Sequence, residues 1–124
     1  VNPLLLKQLW QNSSDQYSYQ VLQHITTLLS TEEAIEHLAL ASENDKLASQ
    51  SMLLLAKNFQ HHDTAQQVLL KKLQHPKTAW FVAAALSQTI DSQLQKEVSA
   101  LAQKSSSGAI RYAVESFSNN EMKE

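Results

Sequence analysis

Three segments of this chain begin 31 residues apart: ASQSMLLL from Ala48, AWFVAAAL from Ala79 and IRYAVESF from Ile110. Their apolar residues coincide at the first, fifth and eighth positions: Ala48, Ala79 and Ile110, then Met52, Ala83 and Val114, then Leu55, Leu86 and Phe117. Spacings of four and three put those residues on one stripe of an α-helix. A helical stripe that returns at a fixed period restricts the fold more than any composition does, because every repeat must bury the same face in the same way.

A second set lies between these segments. TEEAIEHLALAS, HHDTAQQVLLKKL and DSQLQKEVSALA align so that Ala34, Ala65 and Leu94 share a position, as do Leu38, Leu69 and Val98. The separations are 31 and 29 residues, the shortfall being made up by the longer loop KSSSG. Each is a helix by its i, i+4, i+8 pattern, completed by Ser42, Leu73 and Ala102. Thr31, Asp63 and Asp91 stand where N-caps are expected, and the His75-Pro76-Lys77 triplet stops the middle helix. Two amphipathic helices cannot bury both apolar faces alone, whereas hairpins stacked side by side make one continuous core. Eight helices are expected, over 3–11, 15–29, 31–42, 45–58, 62–74, 77–89, 91–104 and 107–119. Glycine occurs once (Gly108) and proline twice (Pro3, Pro76), too few for the tight turns of a sheet-rich chain. The expectation is one all-α domain over residues 1–124, with irregular N-terminal helices in 1–30 and repeats in 31–119. Its core joins Met52, Leu55, Leu69, Ala83, Leu86, Val98, Val114 and Phe117.

This pattern resembles HEAT repeats, specifically the short class first associated with phycobilin lyases, with Ala79 to Gly108 similar from end to end. Arg111 falls on that family's characteristic arginine position, which Ser49 and Trp80 fill in the other two repeats. The resemblance covers Thr31 to Asn119. It implies a right-handed α-solenoid of stacked antiparallel hairpins, about three repeats with a degenerate N-terminal cap, whose second helices line the concave side.

Trp80 and Phe81 are conspicuous where aromatics make up only 6% of residues. On a helical projection Ala79, Val82, Ala83 and Leu86 form the core-facing arc, Trp80 lies on its flank and Phe81 nearly opposite. A large aromatic on such a flank is expected to pack against a neighbouring repeat, which is the expectation for Trp80. Phe81 aligns with Gln50 and Tyr112 and is open between burial and exposure; if exposed, it forms with Tyr112 an aromatic ridge beside Arg111. Tyr, Trp and Arg dominate interface hot spots. The second helices put Glu36, Gln67 and Lys96 in one outward row, with Lys71 alongside. Acidic at Glu33 and Glu36, basic at Lys71 and Lys96, that row suits a protein or peptide better than a polyanion.

A formal charge of -2, a pI near 6.2 and a single arginine weigh against nucleic-acid binding, which uses a basic face and bidentate Arg contacts. Without cysteine the chain carries no disulfide, thiol nucleophile or thiolate metal site. His61 and His62 are adjacent in a turn and diverge, so they read as a solvated loop, and no cofactor or metal is expected. With one glycine there is no nucleophile elbow or phosphate loop. The longest apolar run, Ala79 to Leu86, is eight residues, too short for a membrane span. These features lead to an expected non-catalytic protein-interaction scaffold, soluble, in the cytoplasm or periplasm, with association of copies through the aromatic ridge as a further possibility. Since the chain begins at Val1 and not Met, it is expected to be a processed protein or a piece of a larger one, the latter a module of a bacterial-type protein. The alternative from another class is a HEAT-like enzyme or nucleic-acid-binding solenoid, similar to DNA glycosylases or chromophore lyases.

Overall fold

A computed structural model of the chain describes residues 3–12 and 16–122, so the expected helix start at Asp15 and the ends of the 1–124 range lie outside the described residues. Within them the polypeptide is all-α: α1 (Pro3–Asn12), α2 (Gln16–Gln23), α3 (Ile25–Leu28), α4 (Thr31–Ala41), α5 (Ala48–Phe59), α6 (Asp63–Leu73), α7 (Ala79–Leu86), α8 (Ser92–Lys104) and α9 (Gly108–Met122). There are nine helices among the described residues instead of eight, because the segment expected to run unbroken to residue 29 divides at His24. There the Thr27 hydroxyl donates to the His24 carbonyl at 2.8 Å, and the backbone resumes as a single further turn.

Two of the three expected N-caps move by one residue. α4 is capped by Ser30, not Thr31: its side chain accepts from the Glu33 amide, and Glu33 Oε1 accepts from the Ser30 amide and, at 2.8 Å, from the Ser30 hydroxyl. This reciprocal box satisfies two otherwise orphaned donors. The hydroxyl and amide of Ser30 also hold the Glu33 carboxyl below its usual range. α6 begins after His62, which supplies no side-chain cap, so Asp63 sits in the first turn, where its negative charge interacts favourably with the positive end of the helix dipole. Asp91 caps α8 as expected, accepting from Leu94 N at 2.8 Å.

The helices form two rows. α5, α7 and α9 pack directly on one another, while α4, α6 and α8 lie along their flank, and α1 packs on α4. α7 sits between α5 and α9 and over α6, and five of its eight residues are buried. Alanines at 79, 83 and 85 let three neighbouring helices approach it closely. One apolar cluster extends from Leu6 and Trp10 on α1 to Phe117 on α9. Met52, Leu55, Leu69, Ala83, Leu86, Val98 and Phe117 are buried in it as the repeat register requires. Val114 departs from the expectation, being only partly buried against the cluster.

Short turns are tied together across the rows. Gln60 Oε1 accepts the amides of Ile90 (2.7 Å) and Asp91 (3.0 Å), and Gln66 Nε2 donates both to the Gln60 carbonyl (2.7 Å) and to Asp91 Oδ1 (3.0 Å). His61 Nδ1 lies 2.7 Å from Asp91 Oδ2. Partial burial pushes the Asp91 carboxyl up, but its bonds from Leu94 N, His61 and Gln66 outweigh this and hold it below the ordinary value. At the opposite edge Asn44 Nδ2 donates to the Trp10 carbonyl at 2.9 Å and Lys77 Nζ to the Glu43 carbonyl at 2.9 Å.

The first helix is attached through a buried polar contact. Trp10, fully buried, donates its indole N–H to Nδ1 of buried His37 on α4 at 3.0 Å. That nitrogen must therefore be unprotonated, making His37 neutral with its proton on Nε2. Burial lowers the His37 pKa below its ordinary 6.5, Lys7 adding to the effect and Glu36 and Glu33 opposing it. Because the folded state disfavours the charged ring, the unfolded state binds more protons in this window. The stabilisation is complete above about pH 6.5 and is lost as pH falls through the depressed value. Protonation would put a second donor opposite the indole, so α1 should detach from α4. Fluorescence of Trp10 in a Trp80→Phe background is expected to shift to longer wavelength as pH is lowered from neutral through the depressed His37 value. The same shift in His37→Asn, which keeps an acceptor and removes the titration, would assign the transition elsewhere.

Candidate functional site

The row of α4, α6 and α8 presents a groove between α4 and α6. Residues 32, 36, 39 and 40 form one stripe of α4, continued by residue 43 in the turn after it, and 64, 68, 71 and 72 form the facing stripe of α6. Ile35, Ala39, Leu40 and Val68 make an apolar floor in a hollow of about 610 Å³. Glu32, Glu33, Glu36 and Glu43 stand along the α4 side, and Lys71 and Lys72 along the α6 side. All but Lys72 are exposed. No ion pair joins the two sides among the described residues, where the pairs formed are His61–Asp91 and Lys77–Asp45. An apolar floor with unneutralised charges of opposite sign on its rims is a surface for a ligand that is partly apolar and carries charges of its own.

Of the outward row expected from the sequence, Glu36 and Lys71 meet in this groove. Gln67 is exposed on α6 without lining it, and Lys96 lines a separate hollow with Val114 and Phe117 between α8 and α9. Glu43, Lys72 and Val68 were missed by sequence reasoning. The available signal was the i, i+4, i+7, i+8 spacing of polar and half-polar residues on the face next to each core stripe.

The aromatic ridge exists with different membership. Trp80, expected to be covered by a neighbouring repeat, is 60% exposed, while Phe81 is partly buried against the core. Trp80 does touch α9 with one face. Its indole lies over Gly108 of α9, where a β-carbon would come within 3.4 Å, and its ring is tilted at 59° to Tyr112 with centroids 6.1 Å apart. Tyr112 is 47% exposed and Arg111 is exposed beside it. The ridge is therefore Trp80–Tyr112, with Pro76, Lys104 and Ser105 around an adjoining hollow of about 560 Å³. The helical projection placed Phe81 away from the α7 core stripe, but α7 is covered on more than one side and its far flank is also packed.

Among the described residues no three His, Asp or Glu side chains gather as metal ligands would, and no helix is long and apolar enough to cross a membrane. Comparison with protein-family models, with curated proteins and with solved structures finds no match.

The two aromatics differ in what they stabilise. Phe81→Ser is expected to cost more than about 1 kcal/mol, lowering the melting temperature by several degrees, whereas Trp80→Ser stays within about 0.5 kcal/mol. Thermal unfolding of both variants checks the assignment, and the reverse order would exchange their roles.

Proposed function

We infer that this chain is a non-catalytic scaffold for protein interaction, an α-solenoid of HEAT-like hairpins that recognises a protein or peptide through the face of its outer helices. The α4–α6 groove carries this reading, because an apolar floor rimmed by unpaired charges of both signs suits a polypeptide surface. The two rows of packed helices and the 31-residue register support the solenoid architecture. A rigid backbone of this kind holds its surface side chains in place before a partner arrives, which lowers the ordering cost of binding. The alternative, a nucleic-acid-binding or enzymatic solenoid, has less in its favour. The groove has four carboxylates against two lysines, and phosphate would be repelled from the α4 side.

A photo-crosslinking residue introduced at Ala39, in the groove, is expected to give discrete protease-sensitive adducts in cells. One placed at the exposed Lys57 on α5 should not give the same set. Nuclease-sensitive adducts at Ala39 would favour the nucleic-acid alternative, and an identical pattern from both positions would contradict the groove as a recognition surface.

A further inference from the structure

The groove restricts what its occupant can be, and this inference rests on the reading of that groove as a recognition surface. We propose that it takes an amphipathic α-helix with basic residues on one flank of its apolar stripe and acidic residues on the other, the basic flank lying on α4.

Secondary structure follows from backbone accounting. Both sides of the groove are α-helices, whose amides and carbonyls are consumed internally, so they offer no ladder to an extended strand. An extended peptide pressed onto Ile35, Ala39, Leu40 and Val68 would leave its own N–H and C=O groups facing apolar surface without partners. A helix arrives with those groups satisfied and presents side chains at i, i+3 or i+4 and i+7 to the floor. α4 has 11 residues, about 16 Å at the helical rise, which matches an occupant of roughly three turns.

Charge complementarity supplies the rest. The carboxylates of Glu32 and Glu36 on α4 and of Glu43 in the turn after it are exposed with no ion pair to a lysine, and Glu33 is held ionised by its bonds from Ser30. Lys71 and Lys72 face them across the floor, likewise outside any ion pair. A helix acidic on both flanks meets four carboxylates; one basic on both flanks meets two lysines. Only a helix of mixed flanks avoids like charges on both sides. Turning a helix end to end in a groove exchanges its flanks, so the opposed rims also fix the direction in which the partner lies. Because carboxylates outnumber lysines, the helix is net basic.

The test is selection from a displayed library of 14-residue helical peptides with a fixed leucine and alanine stripe and Lys or Glu randomised at each flank position. Selection is made in parallel on the wild-type chain, on Glu32→Lys/Glu36→Lys and on Ala39→Arg, which fills the groove. Each variant is first checked for an unchanged melting temperature, and a destabilised Ala39→Arg is replaced by Ala39→Gln. Wild type should enrich Lys on one flank and Glu on the other. The best such peptide should lose affinity about tenfold or more when its Lys flank is changed to Glu, and the charge-reversed variant should prefer the changed peptide. Enriched peptides without a flank pattern, yet lost on filling the groove, would overturn this inference and leave the recognition surface standing. No enrichment on wild type, or enrichment indifferent to Ala39→Arg and its substitute, would overturn both.

Discussion

Everything in this molecule depends on α7 being covered by α5, α6 and α9 at once. A helix packed on several sides needs small residues where neighbours approach and large ones where gaps remain, and AWFVAAAL supplies both: alanines at 79, 83 and 85, and Val82 and Leu86 between them. Leu86 is fully buried and sits at the register position of Leu55 on α5 and Phe117 on α9, so one apolar column runs through α5, α7 and α9. Removing that column would leave α4, α6 and α8 with nothing to lie against, since their contacts with each other are slight beside those they make with the inner row.

Polar turns hold the column in register without adding to it. Gln60 offers a single side-chain carbonyl to two amides of the next turn, Gln66 returns a bond to the same segment, and Asp91 caps α8 while pairing with His61. These bonds satisfy backbone donors that a helix end otherwise leaves bare, a buried shortfall that costs more than such bonds add. At the other edge Lys77, in the turn after α6, donates to the Glu43 carbonyl in the turn after α4, so the ends of the two helices that line the groove are joined.

Much of this was legible in the sequence, and the reasons it stopped are physical. Period 31 and the stripes at Ala48, Met52 and Leu55 identified six helices and seven of eight core residues, because burial of a repeated face leaves a direct trace in apolar spacing. Caps were harder. Ser30 and Thr31 are both good cap residues, and the choice was made by Glu33 reaching back to Ser30, a contact that three-residue spacing hinted at but did not decide. The break at His24 left no trace in the apolar spacing. Trp80 is exposed against expectation, and Phe81, left open by the sequence, is partly buried, because a projection of one helix ranks faces by hydrophobicity alone, whereas the number of neighbours on each flank is set by the whole stack. Glu36 and Lys71 could be read as outward-facing from their own helices. That Glu43 and Lys72 join them in one groove depends on how two helices distant in sequence lie together.

The groove between α4 and α6 is thus a by-product of core packing, and the account stands or falls with the helical phase that places Leu86 in the column. Replacing Leu86 by Ala and following urea unfolding tests that phase most directly. A single cooperative transition with a loss of about 2 to 5 kcal/mol is the predicted result, as for large-to-small changes in a filled core. A loss below about 0.5 kcal/mol, the range of ordinary surface substitutions, would contradict the packing of α7 and with it the groove built upon it.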